Sequence, residues 1–190
     1  FKGQLVTNLP SSKIRQLKYG YIPNDRQTAG LILNFTIAEN LILNIHRLNG
    51  YRKGIRLDRK RIAADADDLI SRYDVRTTGR QALAKSLSGG NQQKVVLARE
   101  LSQEPELLLA VNPTRGLDIG ATDYVHQRLL EQQQNHRAVL LITTELDEVL
   151  ALSDRIFVMY NGKLTEATAF RDELSKIGLL MTGSESISRE

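Results

Sequence analysis

The sequence runs to 190 residues, 41% of them hydrophobic and 25% charged, enough for one domain with a sizeable core. It contains no cysteine, which excludes a disulfide scaffold and a thiolate metal site and fits a reducing compartment. A net charge of +4 permits contact with anionic surfaces or nucleotides, while 5% aromatic residues argue against a base-stacking, nucleic-acid-binding platform.

Phe1–Asn8 reads as a short strand or hairpin arm with a turn at Gly3. Pro10-Ser11-Ser12 opens a brief helix, Ile14 and Leu17 inward, ending near Gly20. Tyr19–Ile22 follows as a strand stopped by Pro23. Asn24-Asp25-Arg26 lies on a loop, where an asparagine commonly caps its own turn. Ile37–Ile45 is apolar and helical, with Thr36 as N-cap and Glu39 three residues on, a capping box. The stretch from His46 to Arg61 carries Arg47, Arg52, Lys53, Arg56, Arg59, Lys60 and Arg61, which by itself reads as a solvated basic surface. Ile62, Ala66, Leu69 and Tyr73 stand at helical spacing and make Ile62–Tyr73 an amphipathic helix. Asp74–Lys85 is an irregular linker.

Leu87–Asp118 reads LSGGNQQKVVLARELSQEPELLLAVNPTRGLD. Ser88 is a good N-cap, and the glycines after it let backbone N–H groups point outward at the start of a helix carrying Val95, Val96 and Leu101 inward. Such a helix end has partial positive charge and suits a phosphate. Leu107–Val111 is apolar without alternation, as buried parallel strands are, and Asn112-Pro113-Thr114 leads into the turn Arg115–Asp118. Ala121–Gln134 is a helix with Val125, Leu129 and Leu130 inward. Val139–Thr143 is a second buried strand, Glu145–Leu152 an acid-led helix, and Arg155–Tyr160 a third apolar strand closed by the Asn161-Gly162 hairpin turn. Phe170–Leu180 fits a last helix, and Gly183–Glu190 is polar and expected to be disordered. No apolar run reaches bilayer-spanning length, and the opening residues do not read as a signal peptide. Strands alternating with helices predict an α/β fold with a mainly parallel sheet.

LSGGNQQK at 87–94 followed by PTRGLD at 113–118 closely resembles the signature motif, Walker B strand and D-loop of an ABC-transporter ATPase domain. The subclass it resembles energises import of simple sugars and nucleosides. GYIPNDR…GLILNFTIAENLIL is similar to the Q-loop region of the same ATPases, where a Gln or Glu stands at the place of Asn24. Asn24 is shorter, yet it could hold a water near a metal or phosphate, and this stands beside the self-capping reading. The resemblance covers roughly 13–164. It implies a partial ABC-type ATPase domain over 1–165, with a helical subdomain over about 36–95 that docks against a membrane subunit in this family. A C-terminal helix and polar tail would then occupy 166–190.

Hydrolysis in this family needs four things, and the sequence departs from each. No G-x-x-x-x-G-K-[ST] string occurs, the family's P-loop lying upstream of the segment that matches Phe1. The Walker B aspartate that should hold magnesium is Val111. The neighbouring catalytic glutamate is Asn112, and losing a general base typically costs about 10²–10⁴ in rate. The switch histidine position is Thr144, while His126 and His136 read as surface residues.

The signature is intact, and this asymmetry resembles the second, C-terminal nucleotide-binding domain of such importers. The resemblance implies that Ser88, Gly89, Gly90, Asn91 and Gln92 serve ATP held by a partner P-loop, with Gly116, Leu117 and Asp118 crossing the interface as the D-loop. ATP and Mg2+ would be held mainly by the partner nucleotide-binding domain. Transmembrane permease subunits and, indirectly, a substrate-binding protein are the further implied partners, with no nucleic acid. The implied location is peripheral, on the cytoplasmic face of the plasma membrane. By the same resemblance the P-loop strand belongs between Val139–Thr143 and Arg155–Tyr160. Without it, Leu140, Ile142, Ile156 and Val158 would line unpaired edges, and a homodimer by exchange of Phe1–Val6 is one way to cover them. Two other classes stand beside this one. A non-catalytic regulatory or interaction module would use the same surface without nucleotide. An ABC ATPase of nucleic-acid metabolism usually carries long coiled coils or basic linkers, and neither is visible.

Overall fold

The computed structural model describes residues 1–3, 5–14, 17–45, 50–53 and 56–184. The basic stretch's His46 and Arg47, and the tail from 185, lie outside the described residues. By compactness the chain divides into Phe1–Ile142 and Thr143–Glu190. The division at 165 remains what the family resemblance implies.

The first unit opens with α1 (Ser11–Ile14) and β1 (Tyr19–Ile22), then a π-helical turn over Arg26–Gly30. Helix α2 (Ile37–Ile42) and the two-residue strands β2 (Arg52–Lys53) and β3 (Arg56–Leu57) follow. Next come α3 (Arg59–Arg72), α4 (Gly89–Leu101), β4 (Leu107–Val111), α5 (Ile119–Gln134) and β5 (Ala138–Ile142). The main sheet has the order β1-β4-β5, parallel throughout, with Ile22 opposite Ala110 and Val111 opposite Ile142. β4 is central, so its apolar run is the best buried: Leu108 and Ala110 are fully enclosed. α4 packs against β1 and α2, and α5 against β5. The expected face of α3 holds, with Ile62, Ala66, Leu69 and the C-capping Tyr73 all buried.

The predicted capping box on α2 is complete. Thr36 Oγ1 accepts from Glu39 N at 3.2 Å, and the Glu39 carboxylate accepts from Thr36 N at 2.8 Å. Thr36→Ala therefore lowers stability by about 1 kcal/mol. A urea midpoint equal to that of the parent chain would contradict it. Behind the cap, fully buried Asn40 pins the preceding loop: its Oδ1 accepts from Ile32 N at 2.8 Å and its Nδ2 donates to Ile32 O and Thr36 O, each at 3.0 Å.

Three expectations are corrected. Among the described residues of 1–8 no strand forms, because Lys2, Gly3 and Asn8 all take positive φ and break the extended backbone. The described residues of the arm assigned to strand exchange therefore form no strand. β5 is not the buried strand its composition suggested: it alternates, with Leu140 53% and Ile142 50% exposed, in line with the uncovered edge expected for these two residues. It ends the order β1-β4-β5, and burial on both faces requires neighbours that an apolar run alone cannot specify.

The third correction lies in the second unit, which consists of α6 (Leu146–Leu152), β6 (Phe157–Tyr160), β7 (Lys163–Glu166) and α7 (Leu174–Thr182). β6 and β7 form an antiparallel hairpin, with Asn161 and Gly162 both at positive φ as a two-residue turn requires. Ile156 and Val158, expected on an open edge, are buried with Ala167, Ile177 and Leu180, and Leu146, Val149, Leu150 and Phe170 pack around them. Strand alternation turns Phe157 and Met159 outward instead. Among the described residues no helix is long and apolar enough to cross a membrane.

Candidate functional site

In a parallel sheet all strands deliver their C-terminal ends to the same side, and the loops there are where α/β sheets place their chemistry. Here the loop after β1 (residues 23–30) and the loop after β4 (112–118) meet in this way. Asn112 stands directly after β4 with φ of 43°, a left-handed conformation that asparagine tolerates. Its N–H donates to Ile142 O at 2.7 Å, which ties the loop to the end of β5. Its side-chain Nδ2 donates to Asn24 Oδ1 at 2.8 Å, and Arg115 Nη1 approaches the same oxygen at 3.4 Å.

The turn that follows is capped by Asp25, whose Oδ1 accepts from Gln27 N at 2.8 Å and Thr28 N at 3.2 Å. The Gln27 N–H, and then the hydroxyl and N–H of Thr28, hold the Asp25 carboxyl below the usual carboxylate range. Asn24 is thus free of the cap and is paired with Asn112. The two positions where the family resemblance expects polar or acidic groups around a metal carry neutral amides bonded to each other. Val111 beside them offers no donor atom. Magnesium takes carboxylate and phosphate oxygens, so these residues do not fit the ion.

The second part of the site is the N-terminus of α4. Ser88 is exposed, and its Oγ accepts from Asn91 N at 3.4 Å and Asn91 Nδ2 at 3.0 Å. The amides of the first turn, at Gly89 and Gly90, have no intrahelical acceptor by position. The next side chains work inward. Asn91 Oδ1 accepts from Arg76 N at 2.7 Å. Gln92 is buried; its Oε1 accepts from Gln27 Nε2 at 3.0 Å and its Nε2 donates to Ala84 O at 3.2 Å. Asn91 and Gln92 therefore hold the turn in place, and Ser88, Gly89 and Gly90 form the part able to face a phosphate. A Cβ on Gly90 would come within 3.0 Å of Ala121 Cβ, so the second glycine lets the turn sit against the first turn of α5.

Asp118 serves as N-cap of α5, its Oδ1 accepting from Ala121 N at 2.8 Å. Gly116 has φ of 66°, and Leu117 N donates to Thr114 O at 3.1 Å, closing the D-loop turn. Thr144 belongs to an exposed bend at the start of the second unit. Sequence reading missed three supports. Gln93 Nε2 donates to Pro113 O at 2.7 Å, joining α4 to the loop after β4. Lys94 Nζ binds the Asp74 carboxylate at 2.6 Å and lies 4.5 Å above the Tyr124 ring. Arg26 is the third, and its contacts are described below. A residue's long-range hydrogen-bond partner has no local signature, so none of these was visible.

A family model described as ABC transporter matches residues 1–115. The guanosine import ATP-binding protein NupO of Bacillus subtilis is 42% identical over 183 residues, 96% of this chain and 36% of its own length. The nucleoside import ATP-binding protein NupA of Lactococcus lactis is 42% identical over 182 residues, 94% of this chain and 35% of its own. The glucose import ATP-binding protein TsgD13 of Haloferax volcanii is 36% identical over 95% of this chain and 34% of its own length. The chain spans about a third of the length of these curated relatives. Among solved structures, a nucleotide-free ATP-binding cassette from an ABC transporter superposes with a TM-score of 0.74 at 21% identity, covering 95% of this chain and 74% of that one. The dimeric post-hydrolysis cassette MJ0796 bound to ADP and Pi gives 0.69 at 24% identity, covering 87% and 71%. At these identities the likeness shows a shared fold.

Proposed function

This chain belongs to the ABC transporter family, and from that premise we propose that it is an ATP-binding component of an importer for nucleosides or simple sugars. Within that component it acts as the second nucleotide-binding domain, giving its signature turn to ATP held by a partner domain. The observation that carries this reading is an asymmetry within one site. The turn at Ser88–Gly90 is formed and outward, while the end of β4 carries Val111 and an Asn112 engaged with Asn24.

In the proposed complex the Ser88 hydroxyl and the first-turn amides of α4 donate to the γ-phosphate, assisted by the helix dipole. ATP and Mg2+ supply the phosphoryl chemistry and are held by the partner's P-loop and carboxylates. The residues of this chain orient the phosphate; Asn112 takes no proton, because an amide is no base at neutral pH. Names of the relatives support a cargo among nucleosides and simple sugars. Permease subunits in the membrane and, through them, a substrate-binding protein complete the proposed machine at the cytoplasmic face.

The deciding experiment measures ATP turnover by this chain alone and then mixed with a P-loop-bearing partner domain. Alone, the chain shows no magnesium-dependent ATPase above background. Steady-state turnover that disappears in Asn112→Ala would overturn that expectation. A regulatory module that ignores nucleotide remains the competing outcome, recognised by full transport in a Ser88 variant.

A further inference from the structure

The guanidinium of Arg26 touches two other segments at once. It stands in the π-helical turn after β1. Its Nη1 donates to Arg115 O at 2.8 Å, and its Nη2 lies 3.4 Å from Gly116 O. A Cβ built on Gly89 would fall 2.6 Å from Nη2, far inside van der Waals contact. The same Nη2 would stand 4.0 Å from a Cβ on Gly116. Nε is shut away from solvent without a hydrogen-bond partner, while Arg26 as a whole is half-buried and its two Nη bonds lie toward solvent. Its neighbour Asp25 is occupied as the cap of the turn, leaving the guanidinium to the two carbonyls.

We propose that Arg26 is a positioning residue that sets the spacing between the signature turn and the D-loop. The proposal rests on the reading of Ser88–Gly90 as a phosphate-facing turn. Two adjacent carbonyls call for a planar fork with two donors, which arginine has and lysine lacks. Backbone carbonyls at 115 and 116 are thereby drawn toward the start of α4, and glycine at 89 leaves room for the fork, which a Cβ there would push aside. Sequence reasoning gave Gly89 to the approach of a phosphate; the geometry gives it a second role, as a seat for Arg26. The spacing is then fixed before any nucleotide arrives. Displacements of about 1 Å in such a constellation can cost about 10²-fold in rate.

The test combines backbone hydrogen exchange on this chain with ATPase of the assembled importer. Arg26→Ala and Arg26→Gln raise exchange at the amides of Arg115 and Leu117 by about 10-fold, the effect expected on losing a hydrogen bond from a charged donor. Arg26→Lys does not restore it. Gly89→Ala, which evicts the fork, gives the same rise, and adding it to Arg26→Ala gives no further one. Unchanged exchange at 115–117 in Arg26→Ala, full rescue by lysine, or additive effects in the double variant would each overturn the proposal. In the importer, Arg26→Ala lowers kcat more than it changes the KM for ATP. If exchange responds as stated while neither Arg26→Ala nor Ser88→Arg alters importer turnover, the spacing role of Arg26 stands and the phosphate-facing reading of the signature turn falls.

Discussion

In the proposed importer, Ser88→Arg abolishes ATP turnover and uptake while this chain stays folded. The hydroxyl stands exposed at the head of a 13-residue helix whose first-turn amides converge where a phosphate can approach. An arginine there removes the donor nearest the anion and fills the approach with a long side chain. Removing one preorganised donor from a charge-stabilising site costs about 10²–10³ in rate, and the steric block adds to it. Loss of the N-cap costs about 1 kcal/mol, small beside the 5–15 kcal/mol that holds a typical domain. Thermal unfolding of the variant should therefore stay close to the parent, and Ser88→Thr, which keeps a hydroxyl cap, should retain most activity. Parent-level phosphate release in Ser88→Arg would sink the in-trans reading and favour a nucleotide-independent interaction module.

Arg99→Met has the largest effect on stability. Arg99 and Glu100 are both buried near the C-terminal end of α4, paired at 2.7 Å. Arg99 Nη1 also donates to Gly30 O at 2.7 Å. The Glu100 carboxylate accepts from Asn44 Nδ2 at 2.9 Å and from Tyr21 N at 3.2 Å. The pair thus joins α4 to β1, to the turn that carries Arg26, and to the residues after α2. Methionine matches the volume of the arginine stem but leaves a buried carboxylate without its cation, which costs about 3–5 kcal/mol. For a chain of this size that lowers the melting temperature by about 10 °C. Replacing both partners, as Arg99→Met with Glu100→Leu, should cost less than the single change, because no charge is then left uncompensated. A single variant melting with the parent chain would show that water reaches Glu100 and that the pair is not the enclosed joint described.

Much of the fold was legible because its signals are local. The Thr36–Glu39 box, the Ser88 cap, the face of α3 and the Asn161-Gly162 turn each depend on residues within a few positions of one another. Helical period, cap chemistry and positive φ fix them wherever the chain goes. The apolar run of β4 was equally plain, and its central place in the sheet gave it the burial that its composition asks for. β5 has the same kind of run and lacks that enclosure. Composition reports what a strand can bury, and the neighbours decide what it does bury.

By itself the sequence determined most helices and strands of the chain, the capped glycine turn at 88–90, and that Val111 and Asn112, with no carboxylate, end the β4 run. Those follow from residue type and spacing, which do not depend on distant contacts. Only the tertiary structure decided which residues from distant parts of the chain meet beside them. The Asn24–Asn112 pair spans 88 positions, and the Arg26 bonds to the D-loop span 89 and 90. No pattern along the chain predicts them. They exist because the parallel register sets Ile22 beside Ala110, so that the loops leaving β1 and β4 start from neighbouring strand ends. Packing of α4 on the turn after β1 brings Arg26 to Gly89 and gives that glycine a role a motif alone could not reveal.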